Sequence, residues 1–372
     1  MRKVQKGEMT SSMMLKQILN TNCKIEFKYD WCGEFEEELA LVCLGDKYGF
    51  IDEYVNEVIP VVYDYCCDFC EGYAAVCLNG KYGAIDKYNR EVIPIRYDGI
   101  KDFCDGIIAV RKEDKWHFLD EQGKIAIPQA FDDCQGFCDG LAAVEIDGLW
   151  GFIDKHGKIV IEPLFHDVYY NPDSKLIEVS INNKWGYINR NGKCVLPIMY
   201  DRVGDFSNAL CAVKLCGKWG YVDIDNRIII PFVYDYATDF SDGLAEVKLN
   251  NLWGFINVYG EQVIQPQYDH ISSFNDGLAM VSLDGKCGFI DTFGNIVIPI
   301  EYDFALPFCE GYAVVKKEFK WGFIDKQGNE VIPLQYDYAC EFNNGFARVM
   351  KDEKWCYIKR DNLELLVINE IK

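Results

Sequence analysis

Apolar and polar residues alternate with a period of two through most of this chain, and the alternation itself recurs about every 34 residues. In one copy, Leu244-Ala245-Glu246-Val247-Lys248-Leu249 places Ala245, Val247 and Leu249 on one face of a predicted strand. Trp253-Gly254-Phe255-Ile256 places Trp and Phe on one face of a second strand and Ile on the other. The two are joined by Asn250-Asn251, and by Asn79-Gly80, Asp147-Gly148 or Asp284-Gly285 in sister copies. These residue types accept the positive φ angles of a type I′ hairpin. A third strand carries Val-Ile-Pro, as in Val92-Ile93-Pro94. Proline gives the ladder no donor, so this strand is expected at a sheet edge or ending at the proline.

The copies register column by column. With the aromatic that usually precedes a Gly as origin, from Tyr48 to Trp355, the step is 34 residues throughout apart from one of 35. Every copy has Val six positions before that origin, from Val42 to Val349. An aromatic follows two positions after it (Phe50, Tyr221, Phe323), then Val-Ile-Pro, then Tyr-Asp, then Asp-Phe-x-x-Gly as in Asp239-Phe240-Ser241-Asp242-Gly243. A unit this small cannot bury its own apolar face, so neighbours must stack. The expected fold is all-β: an open β-solenoid of about ten three-stranded repeats spanning residues 25–372, closed by a terminal capping strand near Leu363–Val367. Residues 1–24 are read as an N-terminal cap with a short helix over Ser11–Leu19, where Thr10, Ser11 and Ser12 offer N-caps before Leu15, Ile18 and Leu19. A closed propeller-like ring is the alternative. Against it, three strands fall short of a four-stranded blade, and the termini duplicate rather than complement each other.

The recurrent Lys-Trp-Gly-Phe-Ile-Asp of Lys320 to Asp325, with near-copies from Lys184 and Lys218, followed by Val-Ile-Pro and Tyr-Asp, resembles the bacterial WG (KWG) repeat family. The resemblance covers residues 25 to 367 and implies a bacterial β-rich scaffold. It implies no catalytic residues, because the family carries no agreed activity. Cys287 at the Trp column, His117 and Cys356 at the Gly column, and the fifth repeat depart from the pattern.

Charge narrows the partners. The 372 residues carry a formal charge of −21, which repels nucleic acid and anionic membrane surfaces; neither is expected as a partner. No apolar run is long enough to span a bilayer, and the N-terminus lacks the continuous apolar region of a signal peptide. With seventeen cysteines, an odd number, a reducing cytoplasmic setting is expected.

Candidate chemistry dissolves into the columns. Cys67-x-x-Cys70 resembles half a zinc site, but Cys70, Cys104, Cys138 and Cys309 share a column with Ser207, Ser241 and Asn275. Cys66 and Cys134 share another with Ala237 and Ala305, as small packing residues would, so no metal or cofactor is expected. The Asp residues after the third-strand aromatic (Asp64, Asp98, Asp235 and their equivalents) are equivalent copies, unlike the two differently tuned carboxylates of an acid–base pair, and are read as acceptors for loop amides. His117, His156, His166 and His270 sit beside no nucleophile motif, so no catalytic residue is assigned and no enzyme is expected. The Trp and Tyr rows are read as core. At repeat five, Asp-Phe-x-x-Gly gives way to Asp167-Val168-Tyr169-Tyr170-Asn171-Pro172-Asp173-Ser174-Lys175. Here a raised loop lacking the Phe plug is expected, with Tyr169, Tyr170 and Asp173 as candidate binding residues. The functional expectation is a non-enzymatic scaffold that binds a macromolecule, a protein above all; the alternative is a glycan- or small-ligand-binding array built on the aromatic rows.

Overall fold

The computed structural model describes residues 31–52, 56–101, 103–171, 175–343, 345–351, 354–360 and 364–366. The helix expected over Ser11–Leu19 lies outside these residues; among the described ones every element is a β-strand, so the fold is all-β. Strands gather into antiparallel sheets, one per repeat, whose order follows the chain. By contacts the chain divides into a larger unit, Tyr29–Ser273, and a smaller one of Met1–Lys28 with Phe274–Lys372. The larger contains seven complete sheets, the smaller two complete sheets and most of a third.

Each complete sheet has four strands rather than three. The second sheet runs Tyr65–Cys66, Tyr73–Leu78, Lys81–Asp86 and Glu91–Tyr97. The additional strand is the two-residue segment just after the Tyr-Asp pair, with Tyr65 opposite Cys77 and Cys66 opposite Val76. It is too short to show periodicity, and the strand-count argument against propeller-like blades falls with it. The hairpin turns have the expected conformation: φ is 53° at Asn79 and 74° at Gly80. The proline strand lies at the edge of its sheet but runs through its proline, as in Glu57–Tyr63 with Pro60.

The Trp-Gly pair has a geometric cause. Trp219 faces Tyr234 and Tyr221 faces Ile230, so the ladder slips between them. A Cβ on Gly220 would stand 2.6 Å from the Ile230 carbonyl oxygen, and only glycine lets the edge strand approach so closely.

Within each unit the core lies between successive sheets, as in a β-solenoid. Leu210, Tyr221, Ile230 and Tyr234 of sheet six pack with Ala237, Phe240, Val247 and Ile256 of sheet seven. The Phe of Asp-Phe-x-x-Gly plugs this joint: ring centroids are 4.8 Å apart for Tyr221 and Phe240, and 5.1 Å for Phe323 and Phe342 in the smaller unit. Each buried ring contributes roughly 1.5–3 kcal/mol of burial.

Candidate functional site

Polar clasps join the sheets, and they account for most of the charged columns. Asp98 accepts Lys81 Nζ on Oδ1 at 2.6 Å and the Glu113 amide on Oδ2 at 3.3 Å. Asp235 takes Lys218 and the Asn250 amide in the same way. The lysine bond is the main cause that holds the Asp98 and Asp235 carboxyls below the ordinary carboxylate range. Between sheets four and five the lysine column has Leu149 and the Asp column has His166, whose Nδ1 accepts the Asn182 amide at 3.1 Å. The imidazole there does what the carboxylate does elsewhere, so this histidine has a structural use.

A second clasp bridges consecutive loops. Asp105 accepts the Gly140 amide at 2.7 Å and pairs with Lys155 at 3.3 Å. In the smaller unit, Asp276 accepts Gly311 at 2.8 Å and pairs with Lys326 at 3.2 Å. The same role explains the exposed carboxylate at this column: it holds one loop to the next.

The fifth repeat differs from its expected form. Asp167–Asn171 is not a raised loop but a regular strand, with Val168 opposite Val179 and Tyr170 opposite Ile177. Its pairing with Leu176–Ile181 runs without the register shift that the long first strands Arg202–Ser207 and Tyr338–Asn343 show. Alternation then buries Val168 and turns Tyr169 outward, 58 % exposed. Tyr170 packs, half-buried, against the cluster that contains Phe152, so the joint is not left without a plug. Its hydroxyl reaches Asp139 Oδ2 at 3.2 Å, the acceptor position a loop glycine amide fills in the Asp105 clasp. Asp173 lies outside the described residues. Of the candidate trio, Tyr169 is the one the structure presents to solvent and Tyr170 is committed to the joint.

Cysteine columns occupy packing positions. Cys66 and Cys134 are buried at the place that Ala237 and Ala305 fill, and burial pushes the Cys134 thiol up to about 12. Cys104 and Cys138 sit at backbone bridges to Ile107 and Leu141, a position that Ser241 holds equally well opposite Leu244. The second aromatic of the repeat, such as Tyr221 or Phe255, is fully buried. The Trp column is half-buried in several repeats: Trp219, Tyr236 and Trp253 form a run with centroids 5.6 Å apart at each step.

Two features were not legible column by column. The first is a polar pocket of side chains in sheets five to seven, where the usual Ala becomes Glu178 and Glu246 and the usual Phe becomes Tyr187 and Tyr221. Burial pushes Glu178 up to about 7, with the neighbouring Asp205 adding to the shift and Arg202 opposing it. Burial likewise pushes Asp239 to about 6; its Oδ2 accepts the Asp205 amide at 3.1 Å while Oδ1 is buried with no partner. Glu246 is raised by burial and accepts Ser273 Oγ at 2.6 Å. The substitutions were visible in the sequence, but Glu178, Asp205, Asp239 and Glu246 belong to different columns, and only the packing brings them near one another.

The second is an apolar ridge. The edge strands Ile159–Phe165, Cys194–Tyr200 and Ile228–Tyr234 belong to consecutive sheets. They expose Ile159, Val160, Leu164, Met199, Ile228, Ile229 and Val233, with Leu164 59 % and Ile228 60 % exposed. Ile198 packs onto the sheet four–five cluster, and Tyr200 stacks on Phe232 at 6.4 Å, so the three strands are neighbours. At the matching columns sheet two carries Glu91 and Arg96 and sheet seven Gln262 and Gln267, while Val62, Ile125 and Ile296 are also exposed on sheets one, three and eight, so exposed apolar side chains are densest on sheets four to six.

A molecule made of four-stranded sheets repeated along the chain, with its charged columns used as clasps, is a β-repeat protein. The family model described as WG containing repeat matches it ten times in tandem, from residues 24–48 through 150–185 and 219–253 to 321–355. The chain belongs to the WG repeat family. No curated protein matches it in sequence. Among solved structures it is similar to a eukaryotic initiation factor (11 % identity, 80 % of this chain and 96 % of that one, TM-score 0.44). It is also similar to Hsv2p of Kluyveromyces lactis (10 %, 60 % and 92 %, TM-score 0.35) and to the dihydro-heme d1 dehydrogenase NirN (15 %, 74 % and 75 %, TM-score 0.35). At such scores none of these likenesses bears on what this chain does.

Proposed function

We propose that this repeat protein is a non-enzymatic scaffold that binds another protein. The observation that carries the reading is the ridge: seven solvent-facing apolar side chains on three adjacent edge strands of a chain whose net charge is −21. Exposed apolar side chains grouped on neighbouring strands of an otherwise highly charged protein mark an interaction site. The carboxylate and cysteine columns and His166 support the same reading from the other side, because the structure uses them for clasps and packing. A reducing, cytoplasmic setting goes with it, since Cys66, Cys134 and Cys211 serve as buried apolar residues.

The test is affinity capture from native lysate with the tagged full chain, run beside the double variant Leu164→Glu/Val233→Glu and read by mass spectrometry. A protein held by the wild type and lost by the variant supports the reading. Equal capture by both overturns the ridge as the site, and no specific capture overturns protein binding. The run Trp219–Tyr236–Trp253, with Tyr236 46 % exposed, favours a glycan-binding second reading. It is distinguished by quenching of tryptophan fluorescence on addition of sugars.

A further inference from the structure

The ridge carries more information than its apolarity. Each of its three strands is entered through a basic residue, Lys158, Lys193 and Arg227, and all three are exposed. Arg227 pairs with Asp223 and Asp225, and Lys158 acts electrostatically on Asp154; Lys193 has no ion pair among the described residues. The three strands hold one carboxylate, Glu162. Within a chain of net charge −21, this is an apolar surface with basic residues along the side where its strands begin, so the complement is an apolar surface with carboxylates along one side.

The backbone limits the form that complement takes. An extended peptide would add to an open edge through main-chain hydrogen bonds. Here Pro163, Pro197 and Pro231 sit within the edge strands, and each leaves its strand one backbone donor short. The partner must therefore be read by side chains across strands rather than by one strand's backbone. Packed sheets are about 10 Å apart, so three edge strands span roughly 20 Å, the length of an α-helix of about 14 residues. A second copy of this chain is a poor occupant, because it brings the same large negative charge and the same basic residues.

We propose that the ridge of Ile159, Leu164, Met199, Ile228 and Val233 docks an amphipathic helix whose apolar stripe is flanked by carboxylates, laid across the three edge strands with those carboxylates toward Lys158, Lys193 and Arg227. This rests on the protein-binding reading above and names the chemistry of the partner.

The experiment uses the full chain and two fluorescent synthetic helices of about 18 residues. Both carry one Leu stripe; one has Glu flanks and the other has Lys flanks at the same positions. Anisotropy is expected to show binding of the Glu-flanked helix and binding about tenfold weaker for the Lys-flanked one. That preference runs against the chain's net charge, so general electrostatics cannot produce it. Leu164→Glu/Val233→Glu is expected to abolish binding with an unchanged circular-dichroism melt, and Lys193→Glu to weaken the Glu-flanked helix alone. Equal or reversed preference between the helices overturns the acidic-helix assignment, and so does binding untouched by the double variant. Concentration-dependent dimerisation in sedimentation velocity that the double variant removes would assign the ridge to a second copy instead. Should lysate capture depend on the ridge while neither helix binds, protein binding stands and the helix assignment fails.

Discussion

The hydroxyl of Tyr170 lies 3.2 Å from a carboxylate oxygen of Asp139, where it joins the first strand of sheet five to the loop of the preceding repeat. Asp105, one repeat earlier, receives the amide of Gly140 instead. The irregular repeat thus keeps the clasp and changes the donor. A side-chain hydroxyl replaces a backbone amide, and the tyrosine packs against the cluster that contains Phe152.

Tyr169 and Tyr170 should therefore respond differently to mutation. Tyr170→Phe removes the donor alone and is expected to cost about 1 kcal/mol, read as a lower denaturant midpoint at constant slope. Tyr169→Ala, at an exposed position, is expected to change stability by less than about 0.5 kcal/mol. Equal and negligible effects would show that the clasp does not hold the joint.

Val247 is fully buried between sheets six and seven, in the column that is Val in every repeat. Val247→Asp places an unpaired charge there and is expected to cost about 3–5 kcal/mol. A circular-dichroism melt unchanged by this substitution would show that the column is not core.

The buried carboxyls set a pH dependence. Glu178 at about 7 and Asp239 at about 6 hold protons in the folded state that the unfolded chain has released. Stability should accordingly fall as pH rises through roughly 5 to 7, because the folded chain binds more protons over that window. The clasp aspartates act in the opposite sense: Asp98 and Asp235, held low by their lysines, contribute above the ordinary carboxylate pKa of about 4 and lose that contribution in acid. Urea midpoints should peak near about pH 5, and Glu178→Gln should flatten the decline toward neutrality. Midpoints that rise steadily from pH 5 to 8 would contradict the assignment.

The cysteines are expected to be thiols. Titration of the denatured, unreduced protein should find close to seventeen. A count several below that would reveal disulfides and move the protein to an oxidising compartment.

The sequence made the joints legible and the surface much less so. The Val column and the buried aromatics such as Tyr221 recur because each joint between sheets poses the same packing problem, and period-two alternation marks the strands that solve it. The fourth strand escaped because in most sheets it is two residues long, as in Tyr65–Cys66, and sits where turn chemistry dominates. The fifth repeat was misjudged because the loss of Phe and Gly was visible, whereas the hydroxyl that replaces a glycine amide is a three-dimensional relation. The ridge escaped because Val-Ile-Pro reads as ordinary strand in every copy. It takes the fold to show that this strand is an edge, and that Ile159, Met199 and Ile228 stand on neighbouring edges with nothing over them.

Hydrogen–deuterium exchange of the full chain, free and bound to the protein it captures, tests the ridge most directly. Protection on binding should concentrate in Ile159–Phe165, Cys194–Tyr200 and Ile228–Tyr234, whose outer edges are open in the free chain. Protection confined to the Trp-bearing strands such as Lys218–Asp223 and Leu252–Asn257, with the three edge strands exchanging as they do in the free protein, would contradict it.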